Sequence, residues 1–165
     1  MTQRGVHFAL RAEEERRLLA CPVEERPSLI SDDIEETYFE EAEDWTCETD
    51  MAWEAIHRAF NWGDLDYEYR SPLHGVILGG ERLYFGDDYI ISLKHSERVR
   101  EIAAALKTVS KEGFRPLYFG IDPVKYGFPL TEEDFEYSWG WLQDLGPFYL
   151  RAAEAGRSVV FTTDQ

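Results

Sequence analysis

Several kinds of residue and segment are scarce in this chain. Its 165 residues include only 2 cysteines, and 17 basic residues stand against 33 acidic ones, for a formal net charge of −16. Cys21 and Cys47 form no C-x-x-C pair, so we expect two free thiols rather than a disulfide framework. The lack of clustered Lys and Arg argues against binding to nucleic acid and to anionic membranes. No apolar run is long enough to span a bilayer, and the first residues contain no signal-peptide core, so we expect a cytoplasmic protein.

Signatures of catalysis and of cofactor binding are also scarce. No G-x-S-x-G nucleophile elbow is present. The Gly79-Gly80 pair follows a predicted helix instead of opening one, which disfavours a phosphate cradle. The four histidines have no His-x-His or zinc-finger spacing, and we expect no bound metal. We therefore predict no catalytic residue and no cofactor, and we expect a binding protein rather than an enzyme.

Apolar and aromatic residues, by contrast, are abundant. The hydrophobic fraction is 44% and the aromatic fraction is 15%, which argues for a folded chain. The length predicts a single compact domain over residues 1–165. Apolar alternation predicts strands at 5–10, 89–93 and 158–162 and a brief one at 83–85, with helices between them. The predicted fold class is mixed α/β (α+β), a small mixed sheet of three or four short strands packed with five to seven helices.

One segment carries most of the negative charge. In residues 24–50, 12 of 27 side chains are acidic and only Arg26 is basic, which gives −11 of the total −16. Ile34, Tyr38 and Trp45 recur at about helical spacing, so we predict a helix that docks by this stripe and exposes its carboxylates. The predicted acidic docking face consists of Asp32, Asp33, Glu35, Glu36, Glu40, Glu41, Glu43 and Asp44.

The next predicted helix carries residues with chemical potential. Glu54 and His57 form an E-x-x-H pair whose side chains share one side of a helix and could reach one metal ion. Asp50 or His74 could complete such a site. The simpler interpretation is that His57 lies on the apolar face beside Trp53 and hydrogen-bonds to a buried polar group. Both interpretations stay open at this point.

Two tryptophans of the last predicted helix need separate environments. Trp139 and Trp141 lie about 200° apart around the helix axis, so one narrow stripe cannot contain both. One of them packs on another element or serves as an exposed binding anchor. A pocket lined by Trp53, His57 and Trp139 would make the protein a small-molecule binding module. The candidate ligand or partner site is therefore the set Trp53, His57, Glu54, Asp50, Trp139 and Trp141.

Short motifs occur in a distinctive order along the chain. They are Gly5-x-His7-Phe8, Trp53-x-x-Ile56-His57, Pro72-Leu73, Ile77-Leu78-Gly79-Gly80, Val99-x-x-Ile102-Ala103-x-x-Leu106 and Phe148-Tyr149-x-x-Ala152-Ala153-x-x-Gly156. This order resembles the YfbM-like bacterial family of domains of unknown function over nearly the whole chain. The resemblance implies one mixed α/β domain and a soluble bacterial protein. It implies no enzymatic activity and no catalytic residues.

The functional expectation follows from the charge and from the missing motifs. We expect a non-enzymatic binding protein whose acidic face engages a basic protein, for example an immunity or inhibitor protein against a basic toxin. Nucleic acid and membranes are not expected as partners. One alternative is an enzyme or metalloprotein that uses Glu54 and His57. The other is a small-molecule binding module with a Trp/His pocket.

Overall fold

The computed structural model describes residues 4–165, which form one sheet with helices on both of its faces. The five strands are β1 (Gly5–Leu10), β2 (Thr46–Asp50), β3 (Glu81–Arg82), β4 (Tyr89–Lys94) and β5 (Ser158–Asp164). Their order across the sheet is β2-β1-β5-β4-β3, and every neighbouring pair is antiparallel. The predicted α+β class is confirmed, whereas the predictions of a mixed sheet and of three or four strands are wrong.

Seven α-helices occur in the described part of the chain, as many as the upper limit of the prediction. They are α1 (Ala12–Ala20), α2 (26–41), α3 (Trp53–Phe60), α4 (Ser96–Leu106), α5 (Lys111–Phe119), α6 (Pro123–Tyr126) and α7 (Glu132–Glu154). Helix α2 is continuous and contains a π-helical turn at Ile30–Ile34. Short 3-10 turns occur at Val23–Glu25, Glu43–Trp45 and Pro72–Gly75. None of the described helices is both long and apolar enough to cross a membrane.

The sheet separates two apolar cores, because successive side chains of a strand point to opposite faces. On one face, Val6 and Phe8 pack with Tyr38 of α2 and with residues of α1. On the other face, Val159 and Phe161 belong to a larger core built mainly by α3, α4, α5 and α7. Strand β1 is buried along its whole length because both of its faces are covered.

The acidic segment forms a helix followed by a strand, so the predicted docked helix is confirmed at Ile34 and Tyr38, and only its extension through Trp45 is wrong. Helix α2 begins at Arg26, and Ile30, Ile34 and Tyr38 form its buried stripe at four-residue intervals. Trp45 lies beyond the helix in a 3-10 turn and is half-buried. The apolar stripe of the helix therefore ends at Tyr38, and only part of the segment's charge lies on a helical surface.

Strand β2 follows directly and pairs with β1. Cys47 and Thr49 are buried, and the alternating residues Thr46, Glu48 and Asp50 are half-buried, as expected for a strand with two different faces. Thr49 and Asp50 therefore do not cap the next helix. The N-cap of α3 is Ala52 without a side-chain cap, and Asp50 has a positive φ of 47° at the turn between strand and helix.

Helix α7 borders three hollows on the surface of the described chain. It is continuous for 23 residues although Pro147 lies inside it, so Pro147 does not start a second helix. The helix begins after Thr131, whose hydroxyl accepts a hydrogen bond from the N–H of Asp134 at 3.1 Å. The helix contacts β2, α3, α4 and β5.

Candidate functional site

The three candidate residues of α3 lie in different environments. Trp53 and His57 are buried, with 2% and 1% of their surface exposed, and the Trp53 ring packs on Phe161 at 5.6 Å between centroids. Glu54 is half-buried on the outer side of the helix, where its Oε2 pairs with Nε of Arg58 at 3.1 Å. The E-x-x-H spacing therefore does not bring the two side chains to a common ligand.

Asp50 is held away from His57 by other partners. Its carboxylate pairs with Nε of Arg4 at 3.2 Å and accepts a hydrogen bond from the hydroxyl of Tyr137. Within residues 4–165, no group of three or more His, Cys, Asp or Glu side chains is placed to hold a metal ion. The geometry therefore gives no support to an acid–base pair or a metal centre built on Asp50, Glu54 and His57.

The hydrogen bonds of His57 are those of a core residue. The N–H of Leu78 donates to Nδ1 at 3.4 Å, and Nε2 lies 3.3 Å from the side-chain nitrogen of Asn61. Burial, and to a lesser extent the charge of Lys94, lowers the pKa of His57 to about 3. A neutral, enclosed imidazole with these contacts is poorly suited to acid–base catalysis near neutral pH. This geometry favours the core interpretation of His57.

A buried polar cluster lies beside His57 and consists of His7, Ser92, Lys94 and Tyr149. All four side chains donate hydrogen bonds to main-chain carbonyls of residues 76–78. His7 Nε2 and the Tyr149 hydroxyl reach the carbonyl of residue 76 at 3.0 and 2.8 Å. Ser92 reaches the carbonyl of residue 78 at 2.7 Å, and Lys94 donates to the carbonyl of residue 77. The cluster therefore supplies hydrogen-bond donors to the buried carbonyl groups of an irregular stretch of main chain inside the core.

Sequence reasoning missed Lys94, which is completely buried. Its pKa lies well below the ordinary lysine value because burial penalises the charged form. In β4, Ser92 and Lys94 alternate with Ile91 and Leu93, a pattern typical of a strand with one face in water. The polar face of this strand is also covered, and the sequence pattern contains no signal for that cover.

The candidate residue Trp141 lies in a groove between α2 and α7, which we call the acidic groove. The groove has a volume of about 540 Å³. Its walls include Phe39 and Glu43 on one side and Trp141 and Asp144 on the other, with Thr46–Glu48 of β2 between them. Strand β2 is an end strand of the described sheet, so its outer edge has no strand partner within residues 4–165. The groove therefore runs beside a sheet edge that no other strand of the described chain covers.

The charge of the acidic groove is predominantly negative. Glu43, Glu48 and Asp144 line it, and Arg151 is the only basic residue among its lining side chains in the described chain. The Nε of Arg151 donates a hydrogen bond to the main-chain carbonyl of Asp44 at 3.0 Å, and this bond holds the guanidinium in place. Glu48 pairs with the exposed Arg4 at 3.3 Å. The remaining carboxylates face a space that suits a positive charge.

The residues of the predicted acidic docking face fall into two groups, one exposed to solvent and one with partners in the folded chain. Asp32, Glu36 and Glu40 are exposed and lie four residues apart along one line of the helix, which leads towards the groove residue Glu43. Glu41 and Asp44 are exposed as well.

The other two acidic residues have partners in the folded chain. Asp33 pairs with Arg17 of α1. Burial raises the pKa of Glu35, which accepts a hydrogen bond from the Tyr89 hydroxyl at 3.4 Å. Six of the eight predicted carboxylates are therefore available on the surface.

A second hollow, which we call the aromatic pocket, lies where the start of α3 meets α6 and the start of α7. Its volume is about 330 Å³. The rings of Trp53, Tyr126, Phe128 and Tyr137 line it. Of the pocket residues that contain an aromatic ring, the sequence prediction named only Trp53, since residues distant in sequence supply the other three.

The two tryptophans of α7 border different hollows, as their angular separation requires. Trp141 lines the acidic groove, whereas Trp139 lines an apolar hollow of about 400 Å³ together with Leu106 and Leu142. Trp139 also packs on Phe114 at 6.1 Å between ring centroids. The predicted pocket of Trp53, His57 and Trp139 is not formed, because Trp53 lines the aromatic pocket and His57 lines none of the hollows described here.

Comparison with known proteins gives a family but no activity. The model of a family described as a domain of unknown function, DUF1877, matches residues 1–162. The fold is similar to that in the crystal structure of a protein of unknown function, YfbM from Escherichia coli, with a TM-score of 0.65, 17% identity and 99% of both chains covered. No curated protein matches the chain. The resemblance that the motifs indicated is therefore confirmed, and the chain belongs to the DUF1877 family of YfbM-like domains of unknown function.

Proposed function

We propose that this protein is a non-enzymatic binding protein that receives a basic, extended segment of a partner protein in the acidic groove. An immunity or inhibitor protein directed against a basic toxin is one concrete form of this function. The observation that carries the proposal is the convergence of Glu43 and Asp144, with Glu48 beside its partner Arg4, around a groove that Phe39 and Trp141 also line. Lysine and arginine side chains fit such a site, because they combine an apolar stem with a cationic end.

The free edge of β2 adds a way to bind main chain. An unpaired edge strand offers a row of N–H and C=O groups to another extended chain, and such pairing is a common mode of peptide recognition. Phe39 is 49% exposed at the rim of the groove, so apolar surface is available beside that edge. Carboxylates around the edge also disfavour pairing between two copies of this acidic chain, while they attract a basic one.

The alternatives receive less support from the geometry. An enzyme or metalloprotein that uses Glu54 and His57 would need the two side chains to converge, but Glu54 pairs with Arg58 and His57 bonds in the core. A small-molecule module with a Trp/His pocket would need Trp53 and His57 in one hollow, which the described chain does not form. The binding-protein proposal therefore takes precedence over both.

The proposal is tested with a labelled peptide of alternating Lys and Val residues, whose binding is followed by fluorescence anisotropy. The triple variant Glu43→Gln, Glu48→Gln, Asp144→Asn should bind about tenfold more weakly, since exposed charge pairs contribute roughly 0.2–1 kcal/mol each. The affinity of the unsubstituted protein should fall strongly between 50 and 500 mM NaCl, values chosen so that the Debye length shrinks to roughly 4 Å.

The matched control removes the same number of negative charges at positions outside the groove. Glu97, Glu112 and Glu133 are exposed, and none of them lines the groove, so their triple Gln variant should bind almost as well as the unsubstituted protein. Equal weakening in both triple variants would show that only the total charge matters. Absence of binding at low salt would also contradict the proposal.

A further inference from the structure

The aromatic pocket has the arrangement of a ligand site, with a buried floor and an apolar mouth. Trp53 and Tyr126 form the floor, with 2% and 8% of their surface exposed. Met51, Phe128 and Tyr137 surround the opening and are 54%, 58% and 37% exposed. Large apolar side chains that gather around one opening mark a binding site more often than isolated exposed residues do.

The formal charge of the pocket is entirely negative. Glu54 and Asp134 line it, and no Lys, Arg or His does so within the described chain. Only Oε2 of Glu54 is used by Arg58, at 3.1 Å. The remaining oxygen of this carboxylate can still accept a hydrogen bond from a ligand.

The side chain of Asp134 lines the pocket and is held in place by two tyrosines. Its Oδ2 accepts hydrogen bonds from the hydroxyls of Tyr126, at 2.9 Å, and Tyr118. The pKa of each of these tyrosines is raised, by burial and then by the bond to Asp134, so both hydroxyls remain protonated donors. Two hydrogen bonds from neutral donors hold the Asp134 side chain in a defined orientation.

Cations suit this pocket better than anions do. The starts of α3 and α7 contribute partial positive charge, but the first-turn carboxylates Glu54 and Asp134 offset it. The N–H of Asp134 is already bonded to the hydroxyl of Thr131 at 3.1 Å and is unavailable to an anion. Aromatic faces attract ammonium groups, and the nearby carboxylates add to that attraction.

We propose that the aromatic pocket binds small ammonium compounds that carry an apolar or aromatic body. The body would lie between Trp53, Phe128 and Tyr137, and the ammonium group would face Asp134 and Glu54. The volume of about 330 Å³ is at the lower end of the range for small-molecule sites. None of the residues that line this pocket also lines the acidic groove, so the inference is independent of the proposed protein partner.

The test uses phenethylammonium as the probe and phenylpropanol and phenylacetate as its neutral and anionic counterparts. Binding is followed by chemical-shift titration of backbone amides in the full chain. We expect saturable shifts at residues 51–54 and 126–137 with the ammonium compound, and about tenfold weaker binding of the neutral compound. Equal affinity for the three probes, saturation at other residues, or no saturable shift would overturn the proposal.

Two variants and a control connect the binding to the pocket. Asp134→Asn keeps an acceptor for the two tyrosines and removes the charge, and it should weaken the ammonium probe about tenfold. Phe128→Ala changes an exposed side chain and should weaken both the ammonium and the neutral probe without loss of folding. Glu133→Gln changes a neighbouring exposed carboxylate outside the pocket and should leave binding unchanged. Unchanged affinity in the first two variants would overturn the proposal.

Discussion

The side-chain amine of Lys94 donates a hydrogen bond to the main-chain carbonyl of Ile77 inside the larger core. Lys94 is completely buried, and burial lowers its pKa well below the ordinary lysine value. The unfolded chain therefore binds a proton at this side chain more tightly than the folded chain does. Folding stability must consequently depend on pH through Lys94, in a range where most carboxylates are already ionised.

The variant Lys94→Met isolates this dependence. Because the folded pKa of Lys94 is depressed, its contribution makes the unfolding free energy rise with pH until the ordinary lysine pKa is reached. The slope is at most about 1.4 kcal/mol per pH unit. Urea unfolding of the unsubstituted protein at pH 7 and pH 9 should include this rise, and the variant should lack it. The slope of the unfolding free energy against pH is the quantity to compare, because the loss of the hydrogen bond to Ile77 changes the absolute stability as well.

An exposed lysine provides the control for that measurement. Lys107 lies on the surface, so Lys107→Met should leave the dependence between pH 7 and pH 9 close to that of the unsubstituted protein. If Lys94→Met and Lys107→Met gave the same slope, the amine of Lys94 would have to be protonated in the folded chain.

Apolar alternation in the sequence predicted β1, β4 and β5 to within two residues, and regular apolar spacing is also present in the helices. Val99, Ile102 and Leu106 repeat at helical intervals and are all buried in α4. Strand β2 was missed because its five residues lie inside a strongly acidic run, and its alternation is carried by Cys47 and Thr49 rather than by large apolar side chains. Pairing with β1, a long-range contact, decides its conformation.

The candidate hollows could be predicted only in part, for a related reason. The sequence indicated the separate environments of Trp139 and Trp141, because helix geometry determines their angle. It could not indicate that Tyr126 and Asp134 meet Trp53, since these residues belong to three elements whose relative placement depends on the whole core. The burial of Lys94 depends in the same way on the tertiary cover over β4.

His57 should make the protein less stable in mild acid. Burial lowers its folded pKa to about 3, so the unfolded chain gains a proton below pH 6.5 that the folded chain does not accept. The expected loss between pH 7 and pH 5 is about 2 kcal/mol from this residue. His57→Gln retains an acceptor for the Leu78 N–H and should reduce that loss, as measured by chemical unfolding at the two pH values.

His95 provides a contrast of opposite sign. Partial burial opposes its protonation, but the hydrogen bonds that its ring donates to the carboxylates of Glu81 and Glu15 outweigh that effect and raise its pKa. Its stabilising contribution is therefore present in acid and is lost as the pH rises through the folded pKa. His95→Gln should increase the loss of stability between pH 7 and pH 5.

A loss that stayed the same in His57→Gln would contradict the buried, neutral state of His57.

Cys47 should react slowly with thiol reagents in the folded protein, although it lines the acidic groove. Burial, followed by the charge of Asp144, raises the pKa of its thiol to about 12. Few thiolates are present at neutral pH, so reaction with an aromatic disulfide reagent should be on the order of a hundredfold slower than in the unfolded chain. Cys21→Ser removes the other free thiol, so a single slow phase should remain, and urea should convert it to a fast one. Fast labelling of the folded Cys21→Ser variant would contradict this prediction, because it would require the acidic groove to open as far as Cys47. A basic peptide bound in the groove would then have to slow that labelling.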